Sequence, residues 1–245
     1  MDLIKSDPTN ILYEFKDLPI SHPLQCCLRG DSHAPDKKIR YASVGIVQDL
    51  AGKVLITRRS KNLKTFPGGW VFPGGRLDPA EEFIPAMLRE VYEETGIMIK
   101  TRDNVNFYYK DKKCVIDKIL LYESLYPQDS PLPREQTLVI YYSVMIPVYS
   151  TRIQLNLQLG EIDAYIWVYL KEIYQILNSD FLTEVYGYIY NQEKKEFEIH
   201  TFAPSSFRPH FLNPESYTLD RTKTEYIPHG HRTAIKILYE KFFGK

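Results

Sequence analysis

Residues 75–97 read GRLDPAEEFIPAMLREVYEETGI, and the second half of this stretch carries glutamates at Glu90, Glu93 and Glu94. Residues three and four apart share one surface of a helix. On a helix these carboxylates therefore lie on one side, while Ala86, Met87, Leu88 and Val91 supply an apolar side for packing. Asp78 followed by Pro79 has the form of a helix start, but Pro85 interrupts it. The spacing thus predicts a continuous helix beginning between residues 83 and 86, with residues 75–84 as an irregular lead-in. Gly96, directly after the last glutamates, is a stop signal. A surface helix with a solvated acidic face has the same local pattern, so the segment before it has to separate the two readings.

That segment is a glycine turn, Phe72-Pro73-Gly74-Gly75, behind the apolar pair Trp70-Val71. Paired glycines allow a close backbone approach that side chains would forbid. A carbonyl such as that of Gly74 can join a metal shell, and amides nearby can face an anion. Gathered carboxylates repel one another unless a cation sits among them. Mg²⁺ is a hard ion that takes oxygen ligands and keeps waters and substrate phosphates in its shell. Turn and helix together predict a metal centre that handles phosphates, with Glu90, Glu93, Glu94 and Gly74 as candidate ligands. Arg89 lies among these acids, within reach of Glu81 or Glu82 in the lead-in.

These residues resemble the Nudix box: Gly75, Glu81, Arg89, Glu90, Val91, Glu93, Glu94, Gly96 and Ile97 fill every fixed position of that motif. The resemblance implies that Glu90, Glu93 and Glu94 bind Mg²⁺ or Mn²⁺. It also implies that Glu81 pairs with Arg89, these two serving architecture together with Gly75 and Gly96. Upstream, Leu55-Ile56-Thr57-Arg58-Arg59-Ser60, then Lys64, Gly68 and residues 72–75, is similar to an additional motif of Nudix coenzyme A diphosphatases. That motif expects arginine where this chain has Lys64, and lysine lacks the planar fork that grips phosphate. Residues 121–127, Tyr141-Tyr142 and residues 160–163 are also similar to a related eukaryotic Nudix subgroup.

Arg58, Arg59 and Lys64 are candidates to hold the diphosphate, because guanidinium groups match phosphate geometry. Strand alternation lets only one of the adjacent arginines face the site. For the base that activates water, the resemblance points to Glu161, in a late loop before a strand containing Trp167, or to a glutamate of the box, here Glu94. Glu93 completes the set of candidate catalytic residues. Glu161 and Asp163 also read as plain loop acids.

Residues 41–48 and 53–58 read as strands around the turn Asp49-Leu50-Ala51-Gly52, and residues 115–126, 137–148 and 166–170 as further strands. Residues 171–177 and 232–243 read as helices. These elements predict an α/β fold, a mixed β-sheet sandwiched between helices, in keeping with the Nudix resemblance. The expected organisation is an N-terminal extension over residues 1–38, containing Leu12, Phe15 and Leu18, a hydrolase core over 39–180, and a C-terminal segment over 181–245. The last comprises a hairpin around residues 191–195, an irregular stretch and a terminal helix packed on the core. Tyr188, Phe207, Arg208, His210 and Tyr226 in it either line a nucleotide pocket or cover the domain. His229-Gly230-His231 lacks a third clear zinc ligand and reads as a helix start, where His231 caps the helix or meets phosphate.

Composition mostly excludes. Basic and acidic residues balance at 31 each, with a formal net charge of +0, which argues against an extended nucleic-acid surface and leaves a capped RNA end open. The 19 tyrosines suit half-buried strands and interfaces. Cys26, Cys27 and Cys114 lack metal-ligand spacing and fit a reducing interior. No apolar run marks a membrane span, the first residues are not a secretory signal, and Phe242-Phe243-Gly244-Lys245 is not a peroxisomal address. An intracellular, cytoplasmic protein is expected by default, with peroxisomal or mitochondrial residence left open. A homodimer is left open too.

The expected function is hydrolysis of a diphosphate linkage in a small nucleoside diphosphate derivative by metal-activated water. Coenzyme A or an acyl-coenzyme A leads as substrate. The alternatives are NADH, ADP-ribose or a dinucleotide, an mRNA cap, or a noncatalytic nucleotide-binding role.

Overall fold

The computed structural model describes residues 39–102, 105–126, 135–178, 183–213, 218–219 and 225–244; the expected extension over residues 1–38, with Cys26 and Cys27, lies outside them. The chain begins with β1 (Ile39–Gln48) and β2 (Lys53–Arg59), then β3 (Trp70–Val71), β4 (Gly74–Arg76) and helix α1 (Phe83–Thr95). Next come β5 (Lys100–Thr101), β6 (Phe107–Tyr109), β7 (Lys112–Tyr126), β8 (Glu135–Met145) and β9 (Ile162–Tyr169). Helix α2 (Leu170–Asn178), β10 (Val185–Asn191), β11 (Glu196–Phe202), the short pair β12 (Phe211–Asn213) and β13 (Thr218–Leu219), and helix α3 (His229–Phe243) complete it.

The tight turn between β1 and β2 is built by Asp49, whose Oδ1 accepts from the amides of Ala51 at 2.9 Å and Lys53 at 2.8 Å. The strands assemble in the order β11-β10-β9-β2-β1-β8-β7-β6-β5, with β3 on β2 and β4 on β1. β1 and β8 run parallel, whereas β2, β7 and β9 meet their neighbours antiparallel, so the sheet is mixed. β3 and β4 lie where β1 and β2 diverge, and the glycine turn joins them there.

Alternation along the strands divides the core. In β9, Ile162, Ala164, Ile166 and Val168 are buried, the last three packed in one cluster with Ile173 and Ile176 of α2 and Ala234, Ile235 and Leu238 of α3. The opposite cluster joins Val47, Leu55, Tyr142 and Val144 to Met87 and Val91 of α1. Each fully buried aliphatic side chain contributes about 1.5–3 kcal/mol relative to exposure. Helices therefore cover both faces of a mixed sheet, the α/β arrangement expected from sequence.

Several boundaries differ from expectation, and three bear on how the sheet and the last helix are placed. β8 ends at Met145: the Ile146 amide still reaches the Gln48 carbonyl of β1 at 2.8 Å, and the chain then turns, with the Val148 amide on the Ile146 carbonyl at 2.7 Å. α3 starts at His229 rather than Arg232, because Gly230 fits closely against Tyr122 and Tyr141, where a Cβ would stand 2.7 Å from Tyr141 Oη. β9 begins at Ile162 rather than Ile166, since its first residues pair with Arg58 and Arg59 of β2. The β10–β11 hairpin extends the same sheet through β9. Beyond it, Phe207 is buried in the core, and Arg208 donates to the Ile176 carbonyl at 2.7 Å, so this stretch covers the domain.

Among the described residues, no helix is long and apolar enough to cross a membrane.

Candidate active site

The centre of the site is the glycine turn seen from α1. Its backbone is held from β1, where the Gly45 amide donates to the Pro73 carbonyl at 2.8 Å. The Gly74 amide in turn donates to Glu94 Oε2 at 3.2 Å. A Cβ on Gly75 would stand 2.4 Å from Glu90 Oε1 and 2.6 Å from Oε2, so the carboxylate occupies space a side chain there would need. α1 is oriented by Ala86, Met87 and Val91, all buried, and stops at Gly96, which adopts a left-handed φ of 73° and donates to the Tyr92 carbonyl. Burial of the apolar side toward β1 thus aims Glu90 and Glu94 at the glycine turn.

Electrostatics separate the acids. Glu94 is 2 % exposed, and desolvation pushes its carboxyl up to about 8, against the opposing pull of Arg59. The charges of Glu90 and Glu161 push in the same direction as desolvation. Desolvation also raises Glu90, with a further push from Glu93 and Glu161. These acids therefore sit close enough to feel one another, in an environment that disfavours their combined charge.

Arg89 organises the other side. Its Nε and Nη2 grip Glu81 at 2.9 and 2.8 Å, and Nη2 also donates to the Arg76 carbonyl at 3.0 Å. Its Nη1 reaches Glu90 at 2.9 Å and Glu93 at 3.1 Å. The three box carboxylates do not point at one common atom position here: Glu90 and Glu93 share Arg89, and Glu94 turns to Gly74. Among the described residues no group of His, Cys, Asp and Glu side chains stands in metal-ligating geometry.

The adjacent arginines part company. β2 and β9 shift register between Arg58 and Arg59, with Arg58 opposite Ala164 and Arg59 opposite Ile162. Such a bulge breaks simple alternation. Arg58 turns inward against the rings of Trp70 and Phe202, donating to Asp163 at 2.7 Å and to Glu225 at 3.3 Å. Arg59 is the arginine whose charge is felt at Glu94, and its Nε donates to the Thr65 carbonyl at 3.0 Å. Lys64 is exposed on the loop between β2 and β3. Glu161 lies directly before β9, where its carbonyl accepts from the Ser60 amide at 2.6 Å and its Oε1 accepts from Gln158 at 3.3 Å. Asp163 lies in β9 and is engaged by Arg58, so it is not a loop acid open to solvent.

His231, which sequence left between a cap and a phosphate contact, does not cap the helix, whose N-cap is Pro228. The Phe72 amide donates to its Nδ1 at 3.2 Å, and its ring lies 5.7 Å from Phe72 and 5.3 Å from Tyr141. The only sequence signal for this was a histidine at the start of a terminal helix, which does not identify a partner far along the chain. Tyr226 and Glu225 reach the same region, Tyr226 through its carbonyl, which accepts from the Trp70 amide at 2.9 Å.

Comparison with known proteins adds the family. The NUDIX domain profile matches residues 38–190. The m7GpppN-mRNA hydrolase NUDT17 of Danio rerio is 32% identical over 139 residues, covering 53% of this chain and 42% of that protein. The m7GpppN-mRNA hydrolase NUDT17 of Homo sapiens is 27% identical over 164 residues, covering 62% of this chain and 47% of that protein. The chain thus spans less than half the length of these relatives. A solved MutT protein from Methanosarcina mazei Go1 is 26% identical, covering 57% of this chain and 83% of its own, with a TM-score of 0.38. The matched segment runs from the first strand of the sheet into β10 and contains the glycine turn and α1, and on it this chain belongs to the Nudix domain family.

Proposed function

We propose that this protein hydrolyses a diphosphate linkage in a nucleotide derivative with the help of a divalent metal, and that the substrate is a capped 5′ RNA end or a cap-like dinucleotide rather than coenzyme A. The observation that carries the hydrolytic reading is the placement of Glu94: a carboxyl 2 % exposed and held by the Gly74 amide, with Glu90 lying against Gly75 and the charges of Glu90 and Glu161 felt at it. Only a cation relieves such a cluster while keeping all its members ionised.

The residues fit Mg²⁺ or Mn²⁺. The donors are all oxygens, as hard divalent ions require, and the bare backbone at Gly75 leaves room for the Glu90 carboxylate beside the turn. Glu90, Glu94 and the Gly74 carbonyl would hold the ion, with Glu93 released from Arg89. Bound there, the ion supplies a water of lowered pKa and positive charge for the phosphoryl oxygens.

The chain's own groups do the rest. Glu161, at the edge of the cluster, accepts the proton of the attacking water, and Glu94 is the alternative acceptor. Arg59 holds the phosphates from β2, with Lys64 as an outer cation. Arg58, engaged by Asp163 and Glu225, braces the strand behind them.

Two points favour a cap over coenzyme A. The relatives named above are mRNA-cap hydrolases, and the coenzyme A motif's arginine is replaced by Lys64, which has no fork for phosphate. Coenzyme A stays the second reading on the strength of residues 55–75.

The test is mass spectrometry of products with Mg²⁺ or Mn²⁺ across m7GpppG-capped RNA, coenzyme A, acyl-coenzyme A, NADH, ADP-ribose and diadenosine polyphosphates, with Glu93→Gln as control. Release of a methylguanosine nucleotide only by the unmodified protein is the expected result. Selective release of 3′,5′-ADP from coenzyme A would replace the substrate, and no metal-dependent cleavage across the panel would overturn the hydrolytic reading.

A further inference from the structure

The segment that follows the family-matched residues ends by gripping the glycine turn from behind. Three contacts converge on β2, β3 and the glycine turn from residues 225–231. Glu225 accepts from Arg58, the Tyr226 carbonyl accepts from the Trp70 amide at 2.9 Å, and His231 Nδ1 accepts from the Phe72 amide at 3.2 Å. The first anchors a side chain, and the second adds a backbone bond to β3. The third is placed differently, because Phe72 lies outside β3 and two residues before Gly74, whose amide holds Glu94.

The chemistry of the third contact is specific. A backbone amide only donates, so Nδ1 must be unprotonated and the ring proton must sit on Nε2. The ring is fixed by packing against Phe72 and against Tyr141 edge-on, and by its position in the first turn of α3, whose buried Ala234, Ile235 and Leu238 seat the helix on the sheet. From β1, the Gly45 amide fixes Pro73. The turn is therefore held by one bond on each residue before Gly74, at Phe72 from α3 and at Pro73 from β1. His231 holds the Val71–Phe72 peptide and Gly45 the Pro73–Gly74 peptide, so loss of the first leaves the turn fixed at one end only and lets the Gly74 amide drift from Glu94.

We propose that His231 is a positioning residue for the candidate active site. As an unprotonated acceptor from α3, it sets the Phe72–Gly74 backbone so that the Gly74 amide stays on Glu94. This gives the terminal helix a role in the site beyond covering the core. Its part in metal binding rests on the hydrolytic reading above, whereas its part in backbone order does not.

The experiment compares His231→Asn, His231→Gln and His231→Leu in the full chain. Asparagine places an oxygen where Nδ1 stands, glutamine extends its oxygen beyond that position, and leucine offers no acceptor. Amide hydrogen exchange at Phe72 and Gly74, read by NMR without metal or substrate, is expected to accelerate by roughly tenfold in the Gln and Leu variants, about the equilibrium worth of one hydrogen bond. The Asn variant is expected to restore protection. Mn²⁺ affinity, read by electron paramagnetic resonance, should follow the same order.

Protection of the Gly74 amide that survives in the Leu variant, or an Asn variant no better than Gln, would overturn the proposal. Should leucine prevent folding, the Asn and Gln pair decides alone. Failure of the unmodified protein to bind Mn²⁺ would count against the metal reading, and the exchange result would still judge His231.

Discussion

The carboxylate of Glu90 lies where a side chain on Gly75 would begin, with Oε1 2.4 Å from the position of a Cβ there. Close approach of backbone to carboxylate is what the glycine makes possible. Gly75→Ala should therefore displace Glu90 rather than unfold the protein. The carboxylate is the far end of a flexible chain and can rotate away at a cost of about 0.5–1.5 kcal/mol. Metal-dependent turnover should drop on the order of a hundredfold, the effect of misplacing a reacting group by about an ångström. Thermal denaturation and steady-state rates on the same preparation check both halves, and an alanine variant with full activity would contradict them.

The adjacent arginines should separate stability from catalysis. Arg58 has a side chain 7% exposed and bridges Asp163 and Glu225. Arg58→Ala should destabilise by about 3 kcal/mol, since Asp163 loses its partner and Glu225 keeps only the exposed Lys61 in a partly dry setting. Arg59→Ala should change stability by less than about 0.5 kcal/mol, while catalytic efficiency falls roughly tenfold to a hundredfold with the loss of one charged phosphate contact. Urea titrations set beside rates read the contrast, and equal stability losses in the two variants would refute it.

Glu81 and Arg89 should behave as one unit. Glu81→Gln and Arg89→Met should each cost about 2 kcal/mol, the worth of hydrogen bonds between charged groups, and the double variant should cost less than the sum. The hydrogen bond from Arg89 holds the Glu81 carboxyl below its usual range. A depressed acid contributes its stability above its unfolded pKa and loses it as pH falls through the folded one. The coupling should thus be full at neutral pH and vanish in acid; strict additivity at pH 7 would count against the pair.

His231 sets an acid limit of the opposite chemical kind. Desolvation, aided by the positive charge of Arg59, pushes its imidazole down to about 3, below the ordinary value of 6.5. Tyr141 and Phe72, the rings against it, carry no charge that would offset this. In the interval between those values the unfolded chain binds the extra proton and the folded one does not. Its contribution is complete above pH 6.5 and is lost as pH falls, at most about 1.4 kcal/mol for each unit crossed. Denaturation curves at pH 7 and pH 4.5 should show a smaller drop for His231→Asn than for the unmodified protein. Equal drops would remove His231 from the account.

Much of this was legible in local patterns. The spacing of Glu90, Glu93 and Glu94 against Ala86, Met87 and Val91 located α1, and Pro85 marked its start, because helix periodicity and proline geometry act within a turn or two of chain. The apolar runs in residues 41–48 and 53–58, set around the turn at Asp49-Leu50-Ala51-Gly52, located β1 and β2 for the same reason. The helix stop at Gly96 and the hairpin turn around residues 191–195 were equally local.

Other relations needed the assembled sheet. The bulge where β9 meets Arg58 and Arg59 decided that Arg58 turns inward and that Arg59 is felt at Glu94, since register between strands depends on packing of both faces and not on either strand alone. The Glu81–Arg89 pair was expected from the box and forms where the lead-in folds back over α1, while Glu90 and Glu93 meet Arg89 as neighbours on the same helix. By itself the sequence determined a helix bearing carboxylates behind a glycine turn, in an α/β chain with the Nudix pattern. Only the tertiary structure decided which cation meets Glu94 and that His231, on the last helix, holds the turn, because such partners lie far apart along the chain and meet only when the helices close on the sheet.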